Sequence, residues 1–289
     1  MHVTRYRTVA AATAGVLAAG TVGLATMLAP AASAAPRDVV HVRIDKGHVV
    51  HLPSQLRPGM HRFEVKAAKG SELQLAHKRA GYSDRELARD INAAMGQGNI
   101  AALKRFERNV TLLGGIDASP GHPGVMYASL TRGSYVAVDV NVPASPSKIS
   151  HFRISGRHLS GAAPSGPVIR ATQAVNFAAR PASIPRKGWL TFANQSSENH
   201  FVEIARLQPG KTIADFKAWI DASNAGQNLQ PPIDQSVDLT SGNLGPRHRM
   251  TWHYQLPAGN YVLTCFWPDA DMGGMPHAFM GMYRALTVR

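Results

Sequence analysis

RMTWHYQLPAGNYVLTCF, residues 249–266, decides how this chain is read. Met250, Trp252, Tyr254 and Leu256 alternate with Thr251, His253 and Gln255. A Pro-Ala-Gly turn follows, and then Tyr261, Leu263 and Cys265 fall on one side. Successive side chains of an extended strand point to opposite faces, so this pattern predicts two antiparallel neighbours joined by a turn. HFVEIARL (200–207) sets His200, Val202 and Ile204 against Phe201 and Glu203. MYRALTV (282–288) groups Met282 with Arg284, Leu286 and Val288. Short alternating strands between Gly and Pro turns predict an all-β fold, an antiparallel sandwich.

The chain also repeats itself. Residues 59–91 lie over 188–220 without a gap: Gly59 on Gly188, Phe63 on Phe192, Leu75 on Ile204, Gly81 on Gly210. Ser83 with Glu86 falls on Thr212 with Asp215, and each pair is a cap residue followed three positions later by an acid, a helix-start signature. Leu87 and Ile91 match Phe216 and Ile220, the inward positions of a short amphipathic helix. After a small change of offset, Pro120, His122, Leu130, Gly133 and Tyr135 match Pro246, His248, Leu256, Gly259 and Tyr261. The expected organisation is two tandem sandwiches, each with a short inserted helix, over 35–155 and 168–289, with GRHLSGAAPSGP (156–167) as the linker.

The N-terminus reads as a secretory signal over 1–34: Arg5 and Arg7, an apolar run from Val9 to Leu28, and the small-residue site Ala32-Ser33-Ala34. The mature protein is thus expected outside the cytoplasm, secreted or in the cell envelope. Lys and Arg number 31 against 18 Asp and Glu, a formal net charge of +13, which favours an anionic envelope surface. The basic residues are scattered and no nucleic-acid motif is present, so a nucleic-acid partner is not expected. A single cysteine rules out an internal disulfide.

That cysteine, Cys265, stands with His200 and Met282 on the more apolar side of their strands, and His277 joins them from a loop. Thiolate and thioether are soft ligands and imidazole is intermediate. Two His and one Cys with a weak axial Met form the donor set of an electron-transfer copper centre. FANQSSENHFVEI (192–204), PAGNYVLTCF (257–266) and PHAFMGMYRALTV (276–288) resemble the ligand-bearing strands of the cupredoxins, the plastocyanin-like blue copper proteins. The resemblance implies Greek-key β-sandwiches and one copper ion held in the second by His200, Cys265, His277 and Met282, with Asn199 supporting the site from behind. Met280 competes for the axial place. Met272, Met275 and Met280 with His277 would form a soft port for copper(I) and a copper-transfer or redox partner. Met272 and Met275 otherwise serve as loop packing.

The chain departs from the family in one place: eleven residues, 266–276, separate Cys265 from His277, and the ends meet only if PDADMGG folds out as an excursion. In the first copy Ser71 stands opposite His200, Asp139 opposite Cys265 and Lys148 opposite Met282, so no copper is expected there. His41, His48, His51, His61 and His77 are read as surface residues, and His253 lies on a polar face. With no closely spaced His-x-His pairs, G-x-S-x-G elbow, H-E-x-x-H helix or phosphate loop, catalysis is not expected. The competing function is a metal-free secreted binding module that uses the sandwich as a scaffold. Oligomeric state has no signature in the sequence.

Overall fold

The computed structural model describes residues 39–172 and 175–289; the expected signal, 1–34, lies outside them. Strand Val39–Ile44 runs parallel to Gly59–Ala67, which pairs antiparallel with Gly124–Leu130. In the second half Val168–Thr172 runs parallel to Lys187–Asn194, which pairs antiparallel with Arg249–Gln255. These two groups join edge to edge, Met250 opposite Ala128 and Trp252 opposite Met126. The result is one eight-stranded sheet shared by both halves.

A five-stranded sheet accompanies each half. In the first half the order is Gln55–Leu56, Ser150–Ile154, Gly133–Asp139, Ser71–Lys78, Val110–Ala118. In the second it is Ser183–Ile184, Tyr283–Val288, Gly259–Thr264, Glu203–Leu207, Ile233–Thr240. The two orders match strand for strand. Tyr135 donates its hydroxyl hydrogen to the carbonyl of Thr131 (2.7 Å), as Tyr261 does to Pro257 (2.8 Å). The architecture is an all-β sandwich arrangement. Its main core is continuous across the halves, from Phe63, Leu73 and Met126 to Phe192, Trp252 and Leu286.

Helices α1 (Asp84–Gln97), α2 (Ile100–Asn109) and α3 (Ile213–Asn224) are the only α-helices among the described residues. Ser83 and Glu86 form the capping box of α1, and Thr212 and Asp215 that of α3, satisfying amide groups a helix start leaves free. The first half therefore holds two helices. Where the second crosses through irregular residues 225–232, the first turns at Gly98 (φ +64°) and continues as α2, capped by Asn99. Buried Asp90 locks α1 to α2: its carboxylate accepts hydrogen bonds from Arg89, Arg105 and the Tyr82 hydroxyl.

Two local readings need correction. His61 is buried rather than on the surface, because it shares the inward side of its strand with Phe63 and Val65; its Nε2 lies 2.6 Å from the Arg57 carbonyl. Thr251, expected on a polar face, is buried too, its hydroxyl 2.7 Å from that of Thr191. Its strand lies inside the shared sheet, where Thr251 sits between Thr191 and Tyr127 on the flanking strands, while His253 and Gln255 on the same face stay exposed. Within 156–167, Leu159 is buried and its amide donates to the Pro58 carbonyl (2.7 Å), so this stretch packs against the first half.

Candidate metal centre

The site is built from three separated pieces of the second half. His200 lies just ahead of strand Glu203–Leu207 and exchanges backbone hydrogen bonds with Leu244, 3.0 and 2.7 Å. The neighbouring residue Gly245 donates to the Leu112 carbonyl, Gly242 to Gly115, and Gly114 back to Asn243. The His200 segment is thus stitched through 242–245 to the first half. Buried Gln74 reinforces this seam: its side-chain oxygen accepts from the Asn243 amide (2.8 Å), and its amino group donates to the Asn243 carbonyl (3.0 Å).

Cys265 directly follows strand Gly259–Thr264. His277 is reached through the long spacing the sequence pointed to, which closes as a hairpin. Pro268–Asp269 pairs with Met275–Pro276. The Asp269 carboxylate accepts the amides of Asp271 (2.7 Å) and Met272 (2.9 Å), pinning the tip. The His277 amide then donates to the Trp267 carbonyl (2.9 Å), bringing the chain back two residues from Cys265. A 3-10 turn, His277–Met280, leads to Met282, whose amide donates to the His277 carbonyl (2.9 Å).

Three donor atoms meet. Cys265 Sγ lies 3.7 Å from His200 Nδ1 and 3.7 Å from His277 Nδ1, and the two nitrogens are 2.9 Å apart. All three residues are fully buried. The Phe201 amide, next to His200, points at the sulfur from 3.5 Å. Met282 is fully buried, Met280 partly so, and Met272 and Met275 lie on the surface with 55% and 41% exposure.

The electrostatics fit a cation. Burial, and then the adjacent His277, push the His200 imidazole down to about 3, keeping it neutral with a lone pair to donate. Burial pushes the Cys265 thiol up to about 12. Among the described residues no Lys or Arg contacts the sulfur, so a thiolate there needs a positive charge from elsewhere. In a triangle with these three sides, the point equidistant from the corners lies about 2.0 Å from each. Bonds to zinc, a cation of similar size, run to roughly 2.0–2.1 Å for imidazole and about 2.3 Å for thiolate. The donors therefore fit a first-row metal, and a sulfur with two imidazoles is the mixture copper favours.

Asn199, expected to support the site, contacts a residue the sequence reading missed. Its side-chain amide donates to Glu107 Oε1 in the first half (3.3 Å), and the Trp267 indole donates to the same oxygen (2.8 Å). Glu198 was missed as well: its Oε2 is 2.9 Å from His277 Nε2, though not aligned as a hydrogen bond. Position alone marks Glu198 and Trp267, each two residues from a donor. In the first half, Asp139 accepts the amides of Glu72 and Asn141, and its carboxylate lies 2.6 Å from His48 Nδ1.

No protein-family model and no curated protein matches the chain. Solved structures do. A reduced auracyanin from the photosynthetic bacterium Roseiflexus castenholzii is 23% identical, TM-score 0.28, over 44% of this chain and 99% of its own. Auracyanin A, a "blue" copper protein from Chloroflexus aurantiacus, is 16% identical, TM-score 0.29, over 44% and 100%. A copper-containing nitrite reductase from Thermus scotoductus is 11% identical, TM-score 0.24, over 88% and 68%. At such identities the likeness concerns the fold alone. The last match corrects the expectation that the chain is not an enzyme: a protein similar over most of its length is one, and that expectation is withdrawn.

Proposed function

We propose that this is an exported protein that would hold one copper ion in its second half, through His200, Cys265, His277 and Met282, for electron transfer or copper handling. The observation that carries the reading is the buried triangle of one sulfur and two Nδ1 atoms. A bound copper ion would supply a one-electron couple and hold the buried sulfur as thiolate. The protein's own part is to keep the His200 imidazole neutral, to hold both imidazoles converged on the sulfur and to exclude water. Exposed Met272 and Met275 favour the handling arm, since thioethers are soft ligands suited to copper(I).

In this reading the chain is two copies of one sandwich, a relation supported by the identical strand orders and the paired tyrosine hydrogen bonds. The apolar leader and the basic excess support export and retention near an anionic surface, where a redox or copper-transfer protein would meet it. One equivalent of Cu(II) added to the mature protein gives intense visible absorption from thiolate-to-copper charge transfer, and Cys265→Ser abolishes it. Copper(I) uptake without colour, dependent on Met272 and Met275, selects handling over electron transfer. Failure to bind either ion stoichiometrically overturns the proposal.

A further inference from the structure

The half that brings no ligand sends one carboxylate to the centre. Glu107, on α2, is partly buried, and its Oε1 accepts from both the Trp267 indole (2.8 Å) and the Asn199 amide (3.3 Å). Trp267 follows Cys265 by two residues and holds the His277 amide; Asn199 immediately precedes His200. One oxygen therefore bridges both ligand-bearing loops. Burial, and the nearby charges of Glu198 and Asp269, raise the Glu107 pKa, and among the described residues no Lys or Arg pairs with it. Burying a carboxylate without a cation is costly, so its place at this spot needs a reason beyond packing.

The rest of α2 supplies it. A side chain added at Gly274 would meet Ile100, Lys104 pairs with Asp271 (2.6 Å), and the ring of Phe106 lies 6.4 Å from that of Trp267. Ile100, Lys104 and Glu107 are spaced i, i+4, i+7, a single stripe of the helix. That stripe lies along the hairpin that returns the chain to His277, and α3 is followed by no comparable helix.

We propose that Glu107 is a positioning residue for the metal centre: through Trp267 and Asn199, the ligand-free half fixes the two loops carrying His200, Cys265 and His277. This rests on the copper reading above. The test uses the full mature chain with Glu107→Ala and Glu107→Gln, and Asp90→Asn as a control that loosens α1 from α2 away from the centre. Lost support behind ligands typically weakens metal binding 10–100-fold. In Glu107→Ala, Cu(II) affinity is therefore expected to fall at least about tenfold and the charge-transfer band to shift. Glu107→Gln, which keeps an acceptor oxygen, restores the band, and Asp90→Asn lowers stability without moving it. Should Glu107→Ala not fold, Trp267→Phe removes the indole N–H together with part of the ring, keeps an aromatic side chain against Phe106, and is expected to reproduce the shift.

Alkylation of Cys265 in the metal-free protein reads the same positioning without copper: faster in Glu107→Ala, near wild type in Glu107→Gln and Asp90→Asn. Wild type that binds no copper overturns the copper reading, while the alkylation rates still decide the role of Glu107. Copper affinity, band and alkylation all unchanged in Glu107→Ala, or in Trp267→Phe where that variant stands in for it, overturn this inference and leave the copper reading intact.

Discussion

Acidifying the metal-free protein will weaken it through one residue. Burial, and then His277 beside it, push His200 down to about 3, against about 6.5 in an unfolded chain. Above about pH 6.5 neither state holds the proton and the residue adds no pH dependence. Below it, the unfolded chain takes up a proton that the folded chain refuses. The native state then loses about 1.4 kcal/mol per pH unit until the folded value is reached. At pH 4.5 that is about 2.7 kcal/mol, a fall of roughly 5–10 °C in Tm for a chain of this size. The assay is thermal unfolding by circular dichroism of metal-free wild type and His200→Gln at pH 7.5, 6.0 and 4.5. Groups away from the site are shared by both proteins, so the gap between them reports His200 together with its contact to His277. Wild type must lose about 2.7 kcal/mol relative to the variant across that range. A constant gap refutes the argument that the ring is closed off from water.

Gly242→Ala tests the seam: a side chain there runs into the backbone of Gly115, and the expected cost is roughly 1–3 kcal/mol in urea unfolding, with an unchanged midpoint counting against close contact. Stripping copper from loaded protein with a chelator lowers stability by about 2.7 kcal/mol where free copper had stood at a hundred times Kd. The same chelator leaves the Tm of Cys265→Ser unmoved; an equal drop in both would place the metal elsewhere.

The local part of this fold was legible. Alternation marked the strands around Cys265, and Ser83-Glu86 and Thr212-Asp215 marked two helix starts, because caps and pleats depend on near neighbours in sequence. His61 was legible as well, since it alternates with Phe63 and Val65, but a polar residue on an apolar side is easily assigned to the surface. What the sequence withheld was contact between halves. Thr251 is buried because a strand of the other half lies beside its own. Ile100, Lys104 and Glu107 form a readable helical stripe, yet nothing local says that residues 267–274 are what it meets. Equally, the eleven residues before His277 gave no sign that Asp269 would pin them into a hairpin.

The eight-stranded sheet has a consequence for how such a chain can change. Arg249–Gln255 and Gly124–Leu130 each end their own half, and each is the other's cover. Parting them would leave two raw strand margins, open to stray pairing with other molecules. The first half is therefore not free to be discarded: it is the hem that keeps its sibling from fraying.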